Sequence, residues 1–328
     1  MLVATGCNSD TGHVTVEGLS MPVQRQTSIE REWREVSLRQ LYEVPRESGI
    51  ELYRRGPFTI GPDGALYFRD IGDMKIKQFD ADGYFKHSYG RLGEGPGEFS
   101  FFTDAAILGD SVLYVIDPYR RIVSFFAVDS ATFLYSIPDI HAYRYRITRS
   151  GRAYWNDINS DSLLGTRIGE QDARFFGTII EDQSVEHTLL MGGKIVPYQE
   201  DIVYVSTRYP ILVRFDSIGT VIYARATPDL EKAEPPSLER LNTSTGFGTR
   251  VAGRSLNGIS EIYGDKLVVY AFVSGSEKAF DVYDAATGDY EYSISMPWGR
   301  ISYASYDPIR KRVWQVRDTT VVVYAVEP

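Results

Sequence analysis

Short runs of alternating apolar and polar residues, separated by Gly and Asp, recur along the chain. Alternation between Gly/Asp turns is typical of antiparallel β-hairpins. The clearest copy predicts a four-stranded sheet of about 43 residues, the length of one propeller blade. Its strands and turns are Pro57–Ile60, a turn at Asp63-Gly64, Ala65–Asp70, Lys75–Asp80, a turn at Asp82-Gly83, and Tyr84–Tyr89.

Five further copies of this pattern follow. They begin near residues 105, 143, 194, 258 and 301, and the last one stops one strand short. We expect Arg34–Leu38, which alternates well and precedes the first complete copy, to supply the missing outer strand. That pairing would close the ring and remove its exposed edges. The sequence therefore predicts an all-β fold, a six-bladed β-propeller closed by an N-terminal strand, over residues 29–328.

Residues 230–256 interrupt the period. Pro235–Leu241 is predicted to start a short helix, with proline in the first turn. The glycine-rich remainder carries Arg250 and Arg254, and loops of this length in a compact fold are functional or disordered. We expect a lid on the ligand face. A phosphate loop is excluded, because no Walker lysine follows the glycines.

Composition narrows the class of protein. The 328 residues include 23 Tyr and 16 Phe, which favours β-structure. A net charge of −9 argues against nucleic acid as a partner. No run of 18 apolar residues exists, so no membrane-spanning helix is predicted. The single cysteine excludes an intramolecular disulfide and a cysteine-based zinc site. The four histidines lack metal-ligand spacing, which excludes a histidine-cluster hydrolase.

The segment Leu2–Cys7 resembles the end of a bacterial lipoprotein signal, in which small residues precede the lipidated cysteine. The resemblance implies lipidation at Cys7 and a place in the bacterial cell envelope, periplasmic or surface-exposed. Residues 1–28 are then predicted to be a truncated signal and a flexible tether, rich in Ser, Thr, Gly and Gln. The alternative is an ordinary cysteine near a frayed terminus.

The first sheet and the loop after it carry a second resemblance. Lys75–Asp80, Asp82–Phe85, Tyr89-Gly90 and Gly93–Phe99 resemble the NHL-type repeat of six-bladed propellers. They resemble in particular the uncharacterised propeller lipoproteins of environmental and gut bacteria. The resemblance implies the fold and an extracytoplasmic location, but no ligand.

Ligand candidates come from loop type, since the loops after second strands and between blades are expected on one face. Arginines there could grip a carboxylate or phosphate, although exposed arginines usually serve solubility or salt bridges. Trp155, beside Asn156, Asp157 and Asn159, offers a platform for a sugar or planar ligand, or is a core tryptophan. The arginine candidates are Arg69, Arg91, Arg120, Arg121 and Arg317, besides Arg250 and Arg254.

Acidic residues in the same loops have two interpretations. Glu51 and Glu98 occupy matching places and are expected to accept backbone hydrogen bonds. Asp70, Asp117, Asp157 and Asp318 follow second strands, where aspartate usually caps the next turn. Glu98, Asp104 and His141 are the candidates for a divalent cation, if one is bound.

These observations favour a membrane-tethered extracytoplasmic binding or scaffolding propeller over an enzyme. Its expected partner is a protein, or a small anionic or carbohydrate ligand, and no cofactor is predicted. The alternative is a metal-dependent hydrolase or lyase, like the lactonases and peptide-amidating lyases that also use six-bladed propellers. An intracellular RNA-binding propeller is a third interpretation, disfavoured by the acidic pI of about 5.1.

Overall fold

The protein is an all-β chain with the arrangement of a six-bladed propeller, as predicted. The computed structural model describes residues 12–28, 30–54, 56–157, 162–169, 171–180, 190, 192–243, 246–274, 277–296 and 303–328. Cys7 and Asn159 lie outside these ranges. Among the described residues, no helix is long and apolar enough to cross a bilayer. By contacts between residues the chain divides into unit 1, Met1–Glu35 and Ser150–Gly299, and unit 2, Val36–Arg149 and Arg300–Pro328.

Unit 2 contains sheets one, two and six and the first strand of sheet three. Sheet one is β5 (Phe58–Ile60), β6 (Leu66–Asp70), β7 (Lys75–Phe79) and β8 (Phe85–Tyr89). Sheet two is β9 (Asp104–Leu108), β10 (Val112–Asp117), β11 (Ile122–Ala127) and β12 (Phe133–Ile137). Sheet six is β27 (Ala304–Asp307), β28 (Arg312–Arg317), β29 (Thr320–Glu327) and β4 (Ser37–Val44), and β13 (Ala142–Ile147) starts sheet three.

Unit 1 contains the rest of sheet three, sheets four and five, and an added hairpin. Its central strands are β14 (Arg152–Asp157), β15 (Leu164–Ile168), β16 (Arg174–Phe176), β17 (Gly193–Tyr198), β18 (Asp201–Ser206), β19 (Ile211–Phe215) and β20 (Val221–Ala226). The hairpin and sheet five are β21 (Ser237–Thr243), β22 (Gly246–Ala252), β23 (Asn257–Tyr263), β24 (Lys266–Ser274), β25 (Glu277–Asp284) and β26 (Tyr290–Met296). Three short N-terminal strands are β1 (His13–Val14), β2 (Val23–Gln24) and β3 (Trp33–Arg34).

The middle strands of the sheets are buried on both faces. In unit 2, Tyr67 and Ile76 of sheet one pack in one cluster with Ala105, Leu113 and Val115 of sheet two. Apolar side chains on successive strands therefore fill the space between neighbouring sheets. This explains why β10 and β11 read as nearly continuous apolar runs rather than as strict alternation.

The predicted N-terminal strand is present but begins later in the chain. β4 pairs antiparallel with β29 from Ser37 opposite Glu327 to Val44 opposite Val321. Its eight residues match the eight-residue β29, whereas Arg34–Leu38 was predicted. The residues Trp33 and Arg34 instead form β3, which lies parallel to β26 in sheet five.

Residues 12–28 differ from the predicted flexible tether. β1 and β2 extend sheet four beyond β20, and Gln24 pairs in parallel with Arg225. Val14, Val16, Leu19 and Val23 are buried in the core of unit 1. The tether was predicted from the Ser, Thr and Gly content of this segment. That composition gave no sign that its four apolar side chains would be buried against the sheet.

The segment expected to be a short helix is a strand. β21 and β22 pair from Ser237 opposite Ala252 to Thr243 opposite Gly246. Arg250 donates to Glu239 across the hairpin. The helix prediction was wrong because residues 246–252 offer a pairing partner, and the two prolines precede the strand instead of opening a helix.

A buried ionic contact between Arg31, Asp229 and Asp281 holds the N-terminal segment against the sheets of unit 1. The Arg31 guanidinium donates to both Asp229 oxygens at 2.9 and 2.6 Å and to both Asp281 oxygens at 2.9 Å. The side chains of Arg31 and Asp229 are 3% exposed and that of Asp281 is fully buried. Burial would lower the pKa of Arg31, but the two carboxylates outweigh it and raise that pKa.

We expect Arg31→Met to destabilise the protein by about 3–5 kcal/mol, because two carboxylates would stay buried without a cation. Urea unfolding measures the loss. The matched control is Arg39→Met, since Arg39 forms an exposed pair with Glu327 and should change stability by less than about 1 kcal/mol. Equal losses in the two variants would contradict the role assigned to the buried pair.

Candidate functional site

The first strands of sheets two and three bring polar residues together in unit 2. Asp104 is the first residue of β9, and Arg144 and Arg146 alternate along β13, so their side chains lie on one side of it. The Thr103 hydroxyl donates to the Tyr143 carbonyl and joins the two strands. Arg69 comes from β6 and reaches the same place.

One carboxylate accepts from the guanidinium groups of this cluster. The Asp104 Oδ1 atom accepts from Arg69 Nη1 at 3.1 Å, and Oδ2 accepts from Arg146 Nη1 at 2.6 Å. Arg144 Nη1 lies 3.8 Å from Oδ2. We call Arg69, Asp104, Arg144 and Arg146 the arginine cluster.

The four side chains of the arginine cluster differ in their exposure to solvent. The side chains of Asp104 and Arg69 are 5% and 8% exposed, whereas those of Arg146 and Arg144 are 19% and 25% exposed. Solvent therefore reaches the cluster past Arg144 and Arg146, with Arg69 at its base. An incoming ligand would meet these two guanidinium groups first.

Backbone packing sets the position of Arg69. Its Nη1 atom also donates to the Thr103 carbonyl at 2.7 Å. Gly56 lies so close that a Cβ there would be 1.9 Å from the Arg69 carbonyl oxygen. The Nε atom of Arg69 is buried and donates to no acceptor in the described part of the chain. One strong donor at the base of the cluster is therefore left over.

The charges of the cluster shift the pKa values of its buried members. Burial lowers the pKa of Arg69 to about 10, and the repulsion of Arg144 and Arg146 adds to it against the attraction of Asp104. Burial would raise the pKa of Asp104, yet the charges of Arg146, Arg144 and Arg69 hold it well below its usual range.

The remaining arginine candidates of unit 2 lie outside the cluster. Arg91 is exposed and pairs with Glu98 at 2.7 Å. Arg120 donates to the Glu98 carbonyl, also at 2.7 Å, and braces that loop. Arg121 is exposed in the β10–β11 turn, and Arg317 stacks over the Tyr324 ring at 5.7 Å.

The candidates of unit 1 have local contacts. Trp155 is buried, and its ring is perpendicular to that of Phe175, with the ring centroids 6.2 Å apart. Arg254 donates to the Phe272 carbonyl, and Arg250 is held by its pair with Glu239. The side chain of Asp157 lies outside the described part of the chain.

The predicted turn caps are confirmed at two positions. Asp117 accepts from the backbone amides of Ser100, Phe101, Tyr119 and Arg120. Asp70 accepts from the amides of Tyr53, Arg54 and Gly72, and from Lys77 Nζ. Each aspartate thus ties its own turn to the loop that leads into its sheet.

The three metal candidates have different surroundings. Among the described residues, no group of three or more His, Cys, Asp or Glu side chains could hold an ion. Glu98 accepts from the Gly95 amide and pairs with Arg91, and these contacts lower its pKa. His141 is half-buried, and Asp104 faces three cations. Asp104 is therefore better suited to organise arginines than to bind a cation.

Sequence reasoning missed Arg144, Arg146 and Arg31. The alternation Tyr143-Arg144-Tyr145-Arg146 is a signal for two arginines on one side of an inner strand. Arg31 lies just after the segment interpreted as a tether, and its two acidic partners are about 200 and 250 residues away along the chain.

Comparison with known proteins supports the fold. No family model matches the chain, and no curated protein matches it. A Bacteroides fragilis protein that is proposed to be exported is 12% identical, with a TM-score of 0.57, covering 90% of this chain and 95% of its own. A Bacteroides vulgatus member of the DUF4221 family is 10% identical, with a TM-score of 0.55, covering 89% and 98%.

An enzyme has a similar structure as well. A catalytically inactive Staphylococcus aureus virginiamycin B lyase with quinupristin is 10% identical, with a TM-score of 0.51, covering 89% of this chain and 99% of its own. At such low identities these similarities show a shared fold, and a fold does not fix function.

We expect Asp104→Asn to lose about 3–5 kcal/mol of stability at pH 7, because three guanidinium groups would lose their carboxylate. Since its pKa is depressed in the folded state, Asp104 stabilises the protein above its unfolded pKa of about 3.9. That contribution disappears as the pH falls toward the folded pKa. The difference from the wild type should therefore shrink below about pH 4.

Unfolding free energies measured from pH 7 to pH 3 check this prediction. Asp110→Asn is the control, because Asp110 is exposed and has no ion pair among the described residues. A wild-type minus Asp104→Asn difference that stays constant over the whole range would show that Asp104 is not held by charge.

Proposed function

We propose that this protein is an extracytoplasmic binding module whose propeller holds an anionic ligand at the arginine cluster. One observation carries the proposal. Three guanidinium groups share one buried carboxylate, and the buried Nε of Arg69 is left without an acceptor in the described part of the chain. A carboxylate, phosphate or sulfate would supply the missing acceptor and would lie beside the guanidinium groups of Arg144 and Arg146.

Aromatic side chains near the cluster in sequence suit the body of such a ligand. Phe101 and Tyr119 stack with ring centroids 4.9 Å apart, and both rings are exposed. Phe101 precedes Asp104 by three residues in the loop that Asp117 holds. We infer a ligand with an anionic group and a planar or sugar-like part, since exposed aromatic faces bind such surfaces.

The location is part of the proposal. We infer that lipidation of Cys7 holds the protein in the bacterial cell envelope, periplasmic or surface-exposed. Leu2–Cys7 resembles a lipoprotein signal, and a structural neighbour is proposed to be exported. The NHL-type resemblance of sheet one agrees with this assignment.

We predict one site for sulfate, phosphate or citrate at the arginine cluster, measured by calorimetry in an anion-poor buffer. Arg144→Gln and Arg146→Gln should each weaken binding at this site about tenfold or more, because each removes a charge-assisted donor. The matched control is Arg39→Gln, an exposed arginine of unit 2, which should bind as the wild type does.

Two results would contradict the proposed function. Binding unchanged in both cluster variants would place the anion elsewhere. A stoichiometric divalent ion in the purified protein, with a melting temperature lowered by chelation, would favour the metal-dependent hydrolase or lyase instead.

We predict that Cys7→Ser abolishes incorporation of labelled fatty acid when the gene is expressed in a bacterial host. The protein should then move from the membrane to the soluble fraction. The control is Ser9→Ala, which leaves the thiol intact. Labelling that persists in Cys7→Ser would show that Cys7 is not the acceptor.

A further inference from the structure

The outer strand of sheet two, β12, has no further strand beside it among the described residues. In unit 1, by contrast, the outer strands of sheets four and five each carry an added strand. β2 lies parallel to β20, and β3 lies parallel to β26. The N-terminal chain thus covers two sheet edges in the same way, and these edges show what the outer strand of a sheet in this fold can bind.

The strands β12 and β26 match in sequence and in register. Each contains the tripeptide Tyr-Ser-Ile, at residues 135–137 and at residues 292–294. In both strands the pairing register shifts just before the tyrosine, so that one residue, Leu134 or Glu291, is left out of the pairing. The two tripeptides therefore occupy equivalent positions in their sheets.

In sheet five, β3 covers the tripeptide. The Ser293 amide donates to the Glu32 carbonyl at 2.9 Å. The Arg34 guanidinium lies over the Tyr292 ring, 3.4 Å from its centroid. Tyr292 is only 8% exposed, and Ser293 is fully buried. The added strand thus supplies a backbone acceptor to the edge and a cation to the tyrosine ring.

In sheet two, the same tripeptide is open to solvent. Tyr135 is 52% exposed, and Ser136 and Ile137 are half-buried. One face of the Tyr135 ring stacks on Phe125, with the ring centroids 4.5 Å apart. The other face can therefore accept a second group, as the Tyr292 ring accepts a guanidinium.

The backbone of β12 directs a donor to the same place. Ser136 pairs with Ser124 in β11 as Ser293 pairs with Asp281 in β25. Antiparallel pairs alternate between hydrogen-bonded and non-hydrogen-bonded pairs, so equivalent residues direct their amides to the same side of the strand. Because the Ser293 amide points to the added strand, the Ser136 amide points to the open edge.

β12 also lacks the charged side chains that usually protect an edge strand from pairing. Residues 130–138 contain no charged residue, and Asp129 and Asp139 flank them. An uncharged edge between two acidic residues suits a cationic partner. The outer strands of sheets one, three and six do carry charged side chains, among them Lys86, Arg174 and Arg39.

We propose that β12 binds an extended segment of a partner protein as an added parallel strand, with an arginine of that segment over the Tyr135 ring. The Ser136 amide donates to a backbone carbonyl of the segment, as in sheet five. The covered edge of β26 and the acidic residues beside β12 select this occupant. The inference is independent of the arginine cluster and of lipidation at Cys7.

A fluorescent peptide of alternating Thr and Val around a central Trp-Arg pair, with blocked ends, is the probe. The full chain should bind it in a saturable way, measured by fluorescence anisotropy. Ser136→Pro should weaken binding about tenfold or more, because it removes the outward donor and keeps the hydrogen bonds within sheet two. Ser88→Pro is the matched control, since Ser88 has the equivalent position in β8 and should bind as the wild type does.

The contact with the tyrosine ring is tested separately. Replacing the arginine of the peptide by glutamine should weaken binding to the wild type about fivefold. The same replacement should not change binding to Tyr135→Ser, because the ring that it depends on is gone. Arg144→Gln should bind the peptide as the wild type does while it weakens sulfate binding, so that this inference and the proposed function can fail separately.

Three results would overturn the proposed edge. The peptide could fail to bind the wild type, or it could bind Ser136→Pro as tightly as the wild type. Self-association of the wild type that Ser136→Pro abolishes in analytical ultracentrifugation, without peptide binding, would assign β12 to a second copy of this chain instead.

Discussion

The account of function depends on one buried donor without an acceptor in the described part of the chain, the Nε atom of Arg69. Asp104 accepts from Nη1 of the same guanidinium group and from Arg146, and Arg144 Nη1 lies 3.8 Å from it. A buried donor without an acceptor costs free energy. That cost is the physical reason to expect an acceptor from a ligand, and the neighbouring guanidinium groups favour an anionic one.

Unit 1 contains a second group of buried charges. There a single guanidinium, that of Arg31, lies between Asp229 and Asp281, and Ser293 Oγ also donates to Asp281 at 2.6 Å. The three side chains of this contact are almost fully buried, and the contact holds a chain segment against the sheets. We interpret it as structural, whereas the arginine cluster is open to solvent on the side of Arg144 and Arg146.

Much of the fold could be predicted because local signals agree with the final structure. The strands of sheet one were predicted within about one residue, since Gly/Asp turns and alternation fix their ends. The predictions failed for segments whose structure depends on residues far away in the sequence. β21 extends because β22 is available, and residues 12–28 are ordered because β20 and the core of unit 1 accept their apolar side chains.

The sequence identified two residues of the site but assigned them to different functions. Arg69 was chosen as a ligand residue and Asp104 as a metal ligand, but the structure places them in one hydrogen-bonded pair. The sequence cannot show that Arg144 and Arg146 meet the same carboxylate, because the meeting depends on how β13 lies beside β9. Two candidates that the sequence left unrelated are thus neighbours in one cluster, because they lie on separate strands that meet in space.

Crystals of the protein soaked in selenate would test the central claim most directly, because selenium gives an anomalous signal that identifies the anion. The account predicts a selenium peak at the arginine cluster, from a selenate whose oxygens lie within hydrogen-bonding distance of Arg69 Nε and of the Arg144 and Arg146 guanidinium groups. Selenate bound at exposed arginines such as Arg39, with no peak at the arginine cluster, would contradict it.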